Sequence, residues 1–190
     1  MCYDTSVMNM RGFFVVLACA TLVGTGCSSD TSFTYSDSTD LTPSADVMTL
    51  TSEAFAEGQP IPDRYTCNGS GISPSLSFTN VPEEAVALVL IGEDIDAPNG
   101  FTHWLVFNIP AGVNGIAEAD AAPGALGTTS GGRLGYEGPC PPDGQHRYTF
   151  TLYAVRESLA VIDGASAADV RAALAGQVIA TATLTGTYGK

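Results

Sequence analysis

The sequence predicts a mainly β fold, and three observations carry the prediction. Of its 190 residues 21 are glycine and 11 proline while only 14% are charged, a composition of many turns and short strands. Several segments alternate with the period of a strand, among them Thr102 to Pro110 and Tyr148 to Val155. Helical spacing with plausible start and stop signals occurs convincingly once, from Ala167 to Ala175.

Taken in order, Met48 to Ser52 alternates and can open a sheet, and Gly58-Gln59-Pro60-Ile61-Pro62 breaks it. Arg64 to Pro74 reads as a short extended piece followed by a glycine-rich turn, and Leu76-Ser77-Phe78 as a short strand. Ala85 to Asp94 is a nearly continuous apolar run, as expected of a central strand covered on both faces. From Thr102 to Pro110 strict alternation puts His103, Leu105 and Phe107 on one face and Trp104, Val106 and Asn108 on the other. Gly112 to Tyr136 shows no period and reads as a long surface connection.

That connection leads into Gly138-Pro139-Cys140-Pro141-Pro142-Asp143-Gly144-Gln145-His146-Arg147-Tyr148. Proline fixes φ and lowers the entropy lost on ordering, while glycine lets backbone approach a ligand closely. Pro139, Pro141 and Pro142 carry no N–H, so donors must come from Gly138, Cys140 and later residues. Tyr148 to Val155 then alternates as a strand, which places His146 at a strand mouth. Ser166 caps the helix, Gly176 stops it, and Val178 to Tyr188 returns as a final strand.

The apolar run Phe13 to Gly24 follows Arg11 and is too short for a stable span, so residues 1–26 read as an export signal. Its end, Gly24-Thr25-Gly26-Cys27-Ser28-Ser29, resembles a bacterial lipoprotein cleavage site with Cys27 as the lipidated residue; an ordinary secretory signal is the alternative. Residues 27–46 are rich in Ser, Thr and Asp and form a flexible tether, leaving 47–190 as the folded domain. The destination is the periplasmic face of a bacterial envelope, with the lipid as membrane anchor. A net charge of −13 argues against nucleic acid as a partner but leaves room for a small anion in an N–H-lined pocket.

Of five cysteines, Cys2 and Cys19 leave with the signal and Cys27 takes the lipid, so Cys67 and Cys140 remain, either as a disulfide or as two buried thiols. The pair has no zinc-site spacing, and no metal or other cofactor is expected. Asp94 and Asp96 point the same way on an extended strand end and could share a ligand or orient a histidine; an acidic turn bonding its own amides is the alternative. His103 and His146 both lie near proline/glycine-rich turns with an aromatic close by, Trp104 and Tyr148. Such groups suit an oxyanion held by imidazolium and backbone N–H donors.

In order and spacing, Cys67-Asn68-Gly69, Ile72-Ser73-Pro74, Asp94-Ile95-Asp96-Ala97-Pro98, His103-Trp104 and the Gly138 to Tyr148 loop resemble the phosphatidylethanolamine-binding protein family. The similarity is greatest to its bacterial branch of Raf kinase inhibitor-like proteins and covers roughly Met48 to Tyr188. The resemblance implies two antiparallel sheets in a Greek-key-like β-sandwich, short peripheral helices, one near the C-terminus, and a pocket for phosphate-like groups. It implies Asp94, His103, His146 and Tyr148 as polar pocket groups and Pro98, Trp104, Gly138, Cys140 and Pro142 as walls, with Asp96 structural. This chain has Ile95 where the family pattern has proline, and Gly127 to Gly135 matches the pattern poorly.

The function expected is a non-enzymatic binding module for a small anion or phosphorylated ligand. The alternatives are an inhibitor of an envelope protease or other protein partner, and a small hydrolase using His146 or His103. No serine or threonine sits in a recognisable nucleophile motif, which counts against the hydrolase.

Overall fold

The computed structural model describes residues 47–189; the signal segment 1–26, Cys27 and the tether 27–46 lie outside the described residues. In chain order the strands are β1 (Thr49–Thr51), β2 (Leu76–Thr79), β3 (Ala87–Asp94), β4 (Phe101–Pro110), β5 (Gly115–Ile116), β6 (Ala125–Leu126), β7 (Gln145–Val155) and β8 (Val178–Gly189). One α-helix, α1 (Ala167–Leu174), lies between β7 and β8. All strand pairs are antiparallel and form two sheets, β1-β2-β5 and β6-β4-β3-β7-β8.

The apolar run becomes the middle strand of the larger sheet because both faces of β3 are covered. Leu88 and Leu90 join Trp104, Val106, Phe150 and Leu152 in a core shared with Leu50, Leu76 and Phe78 of the smaller sheet. Ala87, Val89 and Ile91 face the opposite way and pack with Leu105, Phe107, Val170 and Leu174. Val170 and Leu174 stand four residues apart on one face of α1, and burying each contributes about 2 kcal/mol. The helix starts in a capping box: Asp169 N–H donates to Ser166 Oγ and Ser166 N–H donates back to Asp169 Oδ2, both at 3.2 Å.

The chain departs from the sequence expectations in three places. Asp63–Tyr65 forms a single 3₁₀ turn where an extended piece was expected to begin. The segment 112–136 contains β5 and β6, which edge the two sheets, although two residues each are too few to leave a periodic signal. Strict alternation along β4 fails twice. Between the pairs Leu88↔Ile109 and Leu90↔Val106 the partner strand carries an extra residue, and Asn108 there has φ +55°. Its amide bonds both backbone groups of Leu159, donating to the carbonyl at 3.0 Å and accepting from the N–H at 2.7 Å, so Asn108 does not share the inter-sheet face with Trp104. The second failure shapes the site.

Candidate functional site

The pair Gly92↔Trp104 is followed by Glu93↔Thr102, so His103 has no opposite number on β3. A bulge of this kind re-aims a side chain. His103 therefore leaves the face of Leu105 and Phe107 and comes edge-on to Tyr148, with ring centroids 5.3 Å apart. On β7 the period of two holds, and His146 lies on the same face as Tyr148 and Phe150. Asp94 pairs with Tyr148 across the sheet and with Phe101 on the other side. Asp94, His103 and His146 thus converge at one end of the larger sheet, lining a cleft of about 310 Å³ with Ala97, Pro98, Phe101, Glu137, Gly138, Cys140, Pro141 and Pro142.

Each polar group is held by a hydrogen-bond partner within the protein. Asp94 is 4% exposed; its Oδ1 accepts from the N–H groups of Asp96 and Ala97, each at 3.0 Å, and its Oδ2 accepts from His146 Nδ1–H at 2.7 Å. The acidic turn and the histidine-orienting carboxylate are therefore the same residue. His103 Nδ1–H donates to the Glu137 carbonyl at 2.8 Å, and Glu137 N–H returns a bond to the His103 carbonyl at 2.8 Å. Carbonyl and carboxylate oxygens only accept, so Nδ1 carries the proton in both rings and Nε2 is left for a ligand. Burial pushes the His103 pKa below its ordinary value, opposed by the Glu137 carbonyl and by Asp94.

Tyr148 is 2% exposed and, among the described residues, its hydroxyl is buried without a hydrogen-bond partner. Burial, with the Asp94 carboxylate nearby, holds that hydroxyl well above the usual tyrosine range. Asp96 turns away from Asp94 and clamps Arg147: Oδ2 accepts from the Arg147 N–H at 2.8 Å and from Nε at 2.9 Å, and Oδ1 accepts from Nη2 at 2.6 Å. This contact lowers the Asp96 pKa to about 2. The two aspartates do not share a ligand, as their sequence parity had suggested.

The proline-rich loop forms the remaining wall. Gly138 packs so tightly on the 65–66 backbone that a Cβ there would lie 2.8 Å from the Tyr65 carbonyl oxygen. Tyr136 Oη–H donates to the same carbonyl at 2.8 Å, and Cys67 N–H donates to the Pro139 carbonyl at 3.1 Å. Cys67 and Cys140 form a disulfide with Cα atoms 5.4 Å apart, so Cys140 reaches the cleft as a bonded sulfur and the two-thiol alternative falls. Among the described residues neither Gly138 N–H nor Cys140 N–H has a protein acceptor.

Of the residues expected at the site, Asp94, Pro98, His103, Gly138, Cys140, Pro142 and His146 line the cleft. Trp104 and Tyr148 do not; both lie in the inter-sheet core, Trp104 edge-on to Tyr136 at 5.3 Å. Phe101 and Glu137 went unselected. Phe101 lies against the His103 ring, with centroids 4.6 Å apart, and its position two residues before His103 was the available signal. Glu137 acts through its backbone, which no side-chain pattern announces.

A sequence model described as phosphatidylethanolamine-binding protein matches residues 51–189. The chain is 45% identical over 149 residues to a UPF0098 protein of Chlamydia trachomatis, covering 75% of this chain and 99% of the relative. It is 37% identical over 156 residues to a Mycobacterium tuberculosis protein named "Putative lipoprotein LppC", covering 80% and 77%. Among solved structures, the phosphatidylethanolamine-binding protein homologue CT736 of Chlamydia trachomatis superposes with a TM-score of 0.74 at 44% identity, over 76% of this chain and 99% of that one. Escherichia coli YbcL, described as a new member of the mammalian family of that name, superposes with a TM-score of 0.71 at 30% identity, covering 75% and 98%.

Proposed function

Because this chain belongs to the phosphatidylethanolamine-binding protein family, we propose that it is a non-enzymatic binding module of a bacterial envelope whose cleft takes a phosphate or phosphoryl head group. The observation that carries this reading is the pairing of His103 and His146: each ring donates its Nδ1–H into the protein and lines the cleft with Nε2 uncommitted. The N–H groups of Gly138 and Cys140, without protein acceptors among the described residues, add donors at the wall, and the Tyr148 ring, whose buried hydroxyl has no partner among those residues, lies edge-on to His103. With neutral imidazoles the Nε2 atoms accept from a protonated phosphoryl oxygen; with protonated ones they donate to an anionic oxygen.

The cleft-lining residues include no serine, threonine, lysine or free thiol, which counts against a hydrolase that acts through one of those nucleophiles. Envelope placement rests on the signal-like residues 1–26 with lipidation at Cys27, and the mycobacterial relative's lipoprotein name supports it. The tether 27–46 would hold the domain off the membrane.

Calorimetry with inorganic phosphate and phosphoethanolamine tests the cleft. His146→Ala is expected to weaken both by more than about tenfold, the loss of one charge-assisted hydrogen bond. Unchanged affinity would remove His146 from the site. The mass of the mature N-terminus tests lipidation at Cys27.

A further inference from the structure

The loop that walls the cleft is attached to the rest of the molecule in an unusual way. Across residues 138–144, among the described residues, one hydrogen bond to the protein is made, Cys67 N–H to the Pro139 carbonyl. Three of these seven residues are prolines without an N–H, and the next backbone ladder begins only at Gln145 in β7. The first half of the wall has other holds: the Tyr136 hydroxyl, the Glu137 exchange with His103, and Gly138 packed on the 65–66 backbone. From Cys140 onward the attachments are the disulfide, the packing of buried Pro141, and the return into β7.

That disulfide is also open to attack. Cys67 and Cys140 are both exposed, and neither belongs to a strand or helix. Exposed disulfides exchange with thiolates more readily than buried ones, because attack requires approach to a sulfur. Cys140 itself lines the cleft beside Pro141 and Pro142, on the wall that faces His103 and His146. One bond therefore sets both the shape of the ligand site and its sensitivity to reductant.

We propose that Cys67–Cys140 is a thiol-exchange site that gates the cleft. A dithiol reductant attacks one of the two sulfurs as a thiolate: a mixed disulfide forms, the S–S bond breaks, and the other cysteine leaves as a thiolate that takes a proton. The reductant's second thiolate then attacks the mixed disulfide and releases the second cysteine, which is protonated in turn. The protein gains two electrons and two protons, and the reductant leaves as its own disulfide. Segment 140–144 then loses its crosslink to Cys67, and the Cys140–Pro142 wall comes away from the histidines. Linkage requires the reverse effect of equal size, so an occupied cleft protects the disulfide. The effect on ligand rests on the phosphate reading above; the opening of the loop does not.

The experiment uses the full chain, oxidised or treated with dithiothreitol, and reads two quantities. Hydrogen exchange by mass spectrometry should quicken most in the peptide carrying Cys67, whose N–H bonds the Pro139 carbonyl, while β3, β4 and β7 stay folded. Phosphate affinity by calorimetry should fall at least tenfold, and saturating phosphate should slow reduction of Cys67 and Cys140 as read by alkylation. The Cys67→Ser/Cys140→Ser double variant should match the reduced protein in both, which excludes effects of the other cysteines. Unchanged exchange at Cys67 overturns the gate, as does an equal quickening throughout β3, β4 and β7, which would reflect only the lost overall stability. Oxidised protein that binds no phosphate sinks the phosphate reading, and the exchange pattern still decides the gate.

Discussion

His103 and Asp96 are titrating groups whose folded and unfolded states hold protons differently, and both cost stability on acidification, His103 below 6.5 and Asp96 between 3.8 and about 2. Burial lowers the His103 pKa from 6.5, so just below that value the unfolded chain binds a proton that the folded chain refuses. Stability from this residue is complete above 6.5 and declines as pH falls through the ordinary histidine range. Phosphate affinity should move the other way, rising on acidification as the His103 Nε2 becomes a donor. Urea midpoints and calorimetry between about pH 8 and about pH 5 check both trends, and His103→Gln should flatten them. Asp96 has its pKa lowered from 3.8 to about 2 by Arg147. Its contribution is present above 3.8 and lost as pH falls towards about 2, so Asp96→Asn should shift the acid unfolding transition.

At the scale of elements, two bulges in β4 decide what the strand can do. The one at His103 turns the ring to the face of Asp94 and Tyr148; the one near Asn108 ties the strand to Leu159 through both halves of an amide. Asn108→Ala removes both bonds and leaves alanine at φ +55°, an expected loss of about 2–3 kcal/mol in chemical denaturation. Gly138→Ala should weaken phosphate binding, because a Cβ there meets the Tyr65 carbonyl oxygen at 2.8 Å and the loop must shift. Calorimetry reads that effect directly. Neither bulge was legible in advance: period-two reading assumes unbroken pairing, whereas an extra residue in β4 is defined only by its partner β3. The helix was legible because its cap, stop and buried i,i+4 pair are all local.

Across the whole molecule, one crosslink joins the turn before β2 to the loop before β7 over 73 residues. Closing a loop of that length stabilises by about 4 kcal/mol on chain-entropy grounds. The Cys67→Ser/Cys140→Ser variant should therefore melt about 10 °C lower by calorimetric scan. The sequence by itself determined the β class, the buried central strand and the helix, because hydrophobic period, cap chemistry and turn residues are written locally. Tertiary structure alone decided that the two cysteines are bonded, that Asp94 and Asp96 part company, that Trp104 sits in the core, and that His103 and His146 line one cleft. Each of these depends on distance or register between segments far apart in the chain, which local periodicity does not encode.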